Sequence, residues 1–263
     1  MTRLLIVIPL AIIGLYLTAM AVLWGFQRDI IYPAPHNVVE LADGYEEAVL
    51  ATADGLSIRA FYRAAEQNRP TIVYFHGNGG TLHGSAAANA MFAREGFGLL
   101  LVNYRGYGGN PGAPSEDGFY EDGRAAMAFL GAQGVAPSDT VLIGNSIGSG
   151  TAMQMAAEFS PKALVLSAPF TSVPDVAAQR MGWLPVRLLA KDHFDNAAKI
   201  GGLDLPVLVQ HGQADALIPP AHGRILAGLA QNAELQLFRD VGHDLTFTPQ
   251  AQAARLAWVR TLD

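Results

Sequence analysis

Five short apolar runs constrain this chain more than any other feature: TIVYFHG (71–77), GLLLVNY (98–104), TVLIGNS (140–146), ALVLSAP (163–169) and PVLVQHG (206–212). None alternates apolar with polar, and each is ended by Gly, Pro, Ser or Asn. A strand with one wet face alternates, so a continuous run of this length belongs to a strand covered on both faces, as in a parallel sheet with helices on either side. Helical stretches lie between the runs, at 84–95, 116–131, 148–159, 219–231 and 249–262. Alternation of strand and helix requires right-handed crossovers and predicts one doubly wound, mostly parallel α/β sheet. Ahead of it, YEEAVLATADGLSIRAFYRA reads as an antiparallel hairpin turning at Ala53-Asp54-Gly55. Residues 170–200 break the rhythm with Pro174, Pro185 and the amphipathic MGWLPVRLLAKDHF, which predicts a short cap over the C-terminal edge of the sheet.

The first thirty residues follow a different rule. Leu4 to Phe26, LLIVIPLAIIGLYLTAMAVLWGF, carries no charge. As a helix it would span about 34 Å, enough for a hydrocarbon core of about 30 Å. Pro9 is tolerable near the start of such a helix, and Trp24 stands at the end where aromatics favour a membrane interface. Arg3 flanks one side, and Arg28 on the other is offset by Asp29, so counting Lys and Arg prefers the amino terminus inside. A cleaved signal peptide is the competing reading, because Ala19-Met20-Ala21 resembles a cleavage site, and a buried core helix is a third. The expected organisation is an anchor over 1–27, a linker over 28–44 and a catalytic domain over 45–263. The anchor and signal-peptide readings both put that domain on the extracytoplasmic side, membrane-attached or secreted.

Charge and cysteine content remove several function classes. The net charge is −6 and no Lys/Arg cluster occurs, which argues against nucleic acid as a partner. With no cysteine the chain has no disulfide, no thiol nucleophile and no thiolate metal site. No His, Asp or Glu cluster has metal-ligand spacing, and GNGG lacks the lysine and spacing of a phosphate loop, so no metal or cofactor is expected. Protein partners leave no mark.

The chemistry centres on VLIGNSIGSG, 141–150. A Gly-x-Ser-x-Gly pattern alone is weak, since a tight turn also needs small residues. Here it follows a strand and opens a helix, the setting of a nucleophile elbow, where residues two before and two after the serine must be small. Gly144 and Gly148 flank Ser146 at those positions. A serine hydroxyl needs a base to take its proton, and the base needs an orienting carboxylate.

An elbow of this kind resembles that of an α/β-hydrolase, in which the acid and then the histidine follow the nucleophile, each on a loop after a later strand. His243 in RDVGHDL follows the strand-like ELQLF in a Gly-flanked loop. His222 lies within a predicted helix, His193 in the cap, and His36 ahead of the domain, so His243 is the expected base. Asp215 in VQHGQADALIPP stands three residues past a strand and is the expected acid. Asp204 falls at the wrong end of that strand, Asp240 reads as a solvated loop carboxylate, and Asp195 in the cap is a distant alternative.

Acyl transfer also needs donors for the developing oxyanion. The backbone N–H of Ile147, after the nucleophile, is one. The second is expected from His76-Gly77-Asn78-Gly79-Gly80, with Asn78 first and Gly79 as alternate, although that loop also reads as a generic strand-to-helix turn. His76 is expected to be a structural hydrogen-bonder. Arg105 in NYRGYGG is expected to pair internally rather than line the site.

Taken together, HGNGG, NYRGYG, GNSIGSG, PVLVQHGQAD-ALIPP and VGHD resemble the α/β-hydrolase superfamily. FQRDIIYPAP after an apolar N-terminus is similar to its membrane-tethered branch, which includes depalmitoylating serine hydrolases and bacterial relatives. The resemblance covers nearly the whole chain. It implies the α/β-hydrolase fold and carries nucleophile, acid and base onto Ser146, Asp215 and His243. One departure is that His243 is followed by Asp-Leu, where that branch often has Asn-Asp. The expected activity is hydrolysis of a small-molecule acyl ester or thioester through an acyl-enzyme, at a membrane reached through the N-terminal helix. A serine peptidase on the same fold and a non-catalytic membrane-anchored scaffold are the alternatives.

Overall fold

The computed structural model describes residues 2–66 and 69–262. Met1 and Asp263, where the expected anchor begins and the expected catalytic domain ends, lie outside the described residues. In chain order the elements are α1 (Thr2–Ile31), β1 (Glu46–Ala51), β2 (Ser57–Arg63), β3 (Thr71–Phe75), α2 (Leu82–Ala88), α3 (Ala90–Arg94) and β4 (Gly98–Val102). There follow α4 (Glu116–Ala132), β5 (Thr140–Asn145), α5 (Gly148–Phe159), β6 (Ala163–Ser167), α6 (Val173–Arg180), α7 (Val186–Leu189) and α8 (Asn196–Ile200). The chain closes with β7 (Val207–Gly212), α9 (Ala221–Leu229), β8 (Ala233–Phe238), a 3-10 turn at His243–Phe247 and α10 (Pro249–Val259).

The strands form one eight-stranded sheet in the order β1-β2-β4-β3-β5-β6-β7-β8. The β1–β2 hairpin and the β2–β4 pair are antiparallel, and every other pair is parallel. This is the α/β-hydrolase fold.

The five apolar runs are continuous for the reason their pattern implied. Along β3, Val73 and Phe75 enter the core cluster on one face of the sheet, while Ile72 and Tyr74 enter the cluster on the other. Leu142 and Val141 divide in the same way on β5, as do Leu164 and Val165 on β6. Successive side chains of a strand point to opposite faces, so a sheet covered on both sides needs apolar residues at every position. Each such side chain contributes about 1.5–3 kcal/mol when fully buried.

Helix starts follow local capping. Ser115 and Thr81 accept from the N–H groups of Gly118 and Gly84, each at 3.1 Å, and Ser172 accepts from Asp175 at 3.2 Å. Such caps contribute about 1 kcal/mol each. The Thr81 cap starts α2 two residues ahead of the expected Gly84. The single helix expected over 84–95 is in fact α2 and α3, parted at Asn89. The buried Asn89 turns its amide onto the Ser85 carbonyl (2.8 Å), a side-chain to backbone bond that competes with helix continuation.

At the N-terminus α1 runs to Ile31, four residues past the expected end at 27. Its stretch Ile6–Ile31 is long and apolar enough to cross a membrane, with a mean hydropathy of 2.5. The segment after it is not a loose tether. Tyr32 packs edge-on against Phe119, Gly108 N–H donates to Pro35 O (2.7 Å), and Arg59 donates to Val39 O (2.8 Å). Helices α6, α7 and α8 occupy the region expected to be a cap.

Candidate active site

Ser146 stands between the end of β5 and the start of α5 with φ of +51°, in the left-handed region. For a residue with a Cβ this conformation costs about 1–2 kcal/mol, and the surroundings must enforce it. They do so through glycine. A Cβ on Gly148 would fall 2.2 Å from the Phe75 carbonyl oxygen, and one on Gly144 would fall 2.6 Å from the Gly148 carbonyl oxygen. The helix therefore reaches the end of β3 only because Gly148 has no side chain. The Ser146 N–H is tied to Ser167 O (2.9 Å), and its carbonyl accepts from Ser149 Oγ (2.6 Å).

The structure brings the three expected residues together. His243 Nε2 lies 2.9 Å from Ser146 Oγ, and His243 Nδ1 lies 2.8 Å from Asp215 Oδ2. A carboxylate can only accept, so Nδ1 carries the ring proton and Nε2 is left to accept from the serine hydroxyl. The other Asp215 oxygen accepts from the N–H groups of Leu217 and Ile218, both at 2.9 Å. Burial pushes the Asp215 carboxyl upward, but hydrogen bonds from His211, His243 and the Ile218 N–H outweigh it and hold the group well below the usual carboxylate range. It is ionised at neutral pH.

Two residues behind this arrangement were missed in the sequence. His211 is fully buried, donates from Nε2 to Ile218 O (2.8 Å) and sits 3.4 Å from Asp215 Oδ2, so it braces the loop that carries Asp215. Gly212 ends β7, and a Cβ there would fall 2.2 Å from Val241 O and 2.5 Å from Gly242 O. The loop bearing His243 thus closes on the β7 terminus at a distance that only glycine permits. The His-Gly pair in VQHGQAD was the available signal, and its meaning depended on where residue 241 would come to lie.

The loop after β3 packs against the elbow: a Cβ on Gly77 would lie 3.3 Å from Ser146 Cβ. Among the described residues, the backbone N–H groups of Asn78 and Ile147 have no hydrogen-bond partner. Asn78 is held by its side chain, whose amide donates to Ile31 O at the end of α1 and whose Oδ1 accepts from Tyr107 OH (2.7 Å). His76 is buried with Nδ1 donating to Gly77 O (2.8 Å) and Nε2 lying 3.1 Å from the Asn103 amide, and burial lowers its pKa. It has the structural place expected of it.

Other expected bystanders also stay apart from Ser146. Arg105 pairs with Asp122 (2.8 Å) and Asp54 (2.6 Å), His222 bonds Thr171 (2.9 Å), and His193 is exposed in the cap. Among the described residues no group of three or more His, Asp or Glu is placed to hold a metal ion.

A cavity of about 520 Å³ opens over Ser146. Ser146, His243 and Asn78 line it together with the apolar Phe170, Val176 and Leu217 and the charged Arg180 and Asp244. Ile30 and Ile31 of α1 also line it, which no local sequence pattern predicts.

Comparison with known proteins agrees with this architecture. Residues 70–197 match the model of the alpha/beta hydrolase fold family. An uncharacterized protein of Mycobacterium tuberculosis is 36% identical over 233 residues, covering 84% of this chain and 82% of that protein. Lysophosphatidylserine lipase ABHD12 of Danio rerio is 27% identical over 210 residues, covering 72% of this chain and 53% of its own length. Among solved structures, the Pyrococcus furiosus esterase Pf2001 superposes with a TM-score of 0.71 at 16% identity, covering 87% of this chain and 98% of that one. The chain is a hydrolase of the α/β-hydrolase family, in the branch that includes the ABHD proteins.

Proposed function

We propose that this protein is a serine hydrolase that cleaves carboxylic ester or thioester bonds through an acyl-enzyme, with Ser146 as nucleophile, His243 as general base and acid, and Asp215 as the orienting carboxylate. The observation that carries this is the continuous Ser146–His243–Asp215 chain of contacts, 2.9 and 2.8 Å long, at a cavity whose lining includes the apolar Phe170, Val176 and Leu217.

Ser146 Oγ attacks the acyl carbon while its proton passes to His243 Nε2. The tetrahedral oxyanion is met by the backbone N–H groups of Ile147 and Asn78, which have no competing partner among the described residues. Such donors typically stabilise the transition state by about 3–4 kcal/mol each. Collapse of the intermediate expels an alkoxide or thiolate, which takes the proton from His243. Water then attacks the acyl-enzyme with His243 again as base, releasing a carboxylic acid and free Ser146. Asp215 holds the tautomer and stabilises the imidazolium at each stage. Phe170, Val173, Val176 and Leu217 in the cavity lining suit an apolar acyl group, and the lipase activity in the name of the ABHD12 relative points to the same substrate class.

Helix α1 acts as a membrane anchor in this reading, with the hydrolase domain on the extracytoplasmic side. Its contacts with the cap from Tyr16 to Arg28 support retention of the helix over cleavage at Ala21, because cleavage would discard part of a built interface.

The test is labelling by a fluorophosphonate probe in the full-length protein and in Ser146→Ala, followed by hydrolysis of p-nitrophenyl esters of increasing chain length. Labelling that disappears in the variant, together with turnover, is the expected result. A folded wild-type protein that neither labels nor hydrolyses any ester overturns the proposal and leaves a non-catalytic scaffold.

A further inference from the structure

Helix α1 has two environments. From Ile6 to Thr18 every residue is exposed. Beyond that point Ala19, Met20, Leu23, Gln27 and Ile31 become half-buried, at spacings that fall on one side of a helix. That side faces the cap. Tyr16 OH donates to Trp183 O (3.1 Å), Gln27 bonds both Leu189 O (3.2 Å) and Lys191 N–H (2.8 Å), and Arg28 grips Asp192 with two bonds of 2.9 Å.

Between this face and α6–α7 lies a second cavity, of about 130 Å³. Met20, Leu23, Trp24, Met181 and Leu184 are among its walls, and Gln27 is its one polar lining residue, already committed to Leu189 and Lys191. It shares Ile30, Ile31, Val173 and Ala177 with the cavity over Ser146, so the two adjoin along those four side chains. From Ile31 back to Met20 their combined lining follows α1 for about 16 Å at 1.5 Å per residue. Only a long alkyl chain reaches that far from the serine.

The outer end of the second cavity, at Met20, borders an exposed apolar surface. From Ile6 to Leu15 the α1 surface is apolar and exposed, and the adjoining cap exposes Trp183 and Leu188 (56% and 86%) beside Arg187 and Lys191. Tryptophan and basic side chains around exposed leucine are the composition of a membrane–water boundary.

We propose that α1 and the cap together form an acyl channel, through which the alkyl chain of a bilayer-resident ester or thioester passes to reach Ser146. The membrane helix is then one wall of the substrate site as well as a tether. This rests on the serine-hydrolase reading above.

Two measurements on the full-length protein in phospholipid nanodiscs test it. Ala190→Trp places a large ring in the outer cavity, so the ratio of kcat/KM for p-nitrophenyl palmitate to that for p-nitrophenyl butyrate falls at least tenfold. A ratio within twofold of wild type overturns the channel. The second measurement needs no variant. A long-chain alkyl fluorophosphonate carrying a terminal diazirine is reacted with the wild-type protein, photolysed and mapped by mass spectrometry. Cross-links within residues 20–31 and 173–190 are expected, and cross-links confined to the opposite rim, at Gly84 or Phe247, overturn the channel. If the probe reacts at Ser146 but cross-links elsewhere, the channel alone fails. If the wild type neither reacts nor turns over either ester, the serine-hydrolase reading fails and the channel falls with it.

Discussion

The side-chain amide of Asn78 donates to the carbonyl oxygen of Ile31, joining the loop beside the candidate nucleophile to the last residue of the apolar N-terminal helix. Ile31 O is one of the terminal carbonyls a helix cannot satisfy internally, so an outside donor is favoured there. Tyr107 completes the clamp with its bond to Asn78 Oδ1. Tyr107→Phe removes one side of the clamp with little change in packing. The expected outcome is a fall in kcat of about tenfold with KM unchanged, smaller than the roughly 10²–10³ typical of losing an oxyanion donor outright. Steady-state kinetics on a short ester checks this, and a raised KM with unchanged kcat would assign Tyr107 to substrate binding instead.

Gly212→Ala acts on His243, the proposed base, without touching it. The added methyl meets the backbone at Val241 and Gly242, which cannot rotate away, so the loop holding His243 must shift. Overpacking of this kind costs about 1–3 kcal/mol. A displacement near 1 Å of a catalytic group costs roughly 10²-fold in rate. The variant should remain folded, melt at a lower temperature and react with a fluorophosphonate about a hundredfold more slowly. Labelling at the wild-type rate would show that the loop tolerates the methyl.

Stability should fall on acidification in two windows. Burial lowers the pKa of His76, and burial aided by His211 lowers that of His222 against the opposing pull of Asp175 and Asp215. Both are neutral in the folded protein, whereas the unfolded chain takes up their protons below about pH 6.5. The unfolded state then binds more protons, so each group subtracts stability at up to about 1.4 kcal/mol per pH unit as the pH falls. Asp215 is the second window. Its folded pKa lies below its unfolded value of about 3.9, so its contribution is complete above that value and is lost as pH falls through the folded pKa. Denaturant midpoints from pH 7.5 to 3 read the histidine window and the onset of the Asp215 one. His222→Gln should flatten the slope between pH 6.5 and 5 and leave the lower window unchanged.

Arg28→Ala removes the ion pair between α1 and the cap. Asp192 is 1% exposed, accepts both bonds from Arg28 and also accepts from the Glu116 N–H (3.0 Å). Removing the guanidinium leaves a buried carboxylate with one backbone donor. Breaking a fully buried pair costs about 3–5 kcal/mol. Arg28 itself is 45% exposed, so solvent screening reduces the expected loss to about 1–2 kcal/mol. The melting temperature in detergent micelles checks this. An unchanged value would mean that α1 is held by Tyr16, Gln27 and its apolar contacts without this pair.

Much of the site was legible because its elements announce themselves locally. A two-faced strand needs apolar residues at every position, and Val141 to Asn145 are followed by Ser146 between two glycines that a close turn requires. Asp215 and His243 were found by the same logic, each on a loop just past a strand end. The branch point at Asn89 escaped because an asparagine in a run of alanines differs little from its neighbours until it is buried. His211 and Gly212 escaped because their roles depend on the approach of residues 241 and 242 from another part of the chain.

The sequence by itself determined the strands, their helical crossovers and an N-terminal helix apolar enough for a membrane, since hydrophobic periodicity reports how each element is covered. It could not say what covers that helix. A helix apolar on every side has no distinct face, so lipid and protein are equivalent partners for it in the pattern. Only the tertiary structure turned Ile30 and Ile31 onto the cavity above Ser146 and brought Ile31 to Asn78, 47 residues away. That contact depends on how α1, the cap and the β3 loop pack together, and no single element encodes it.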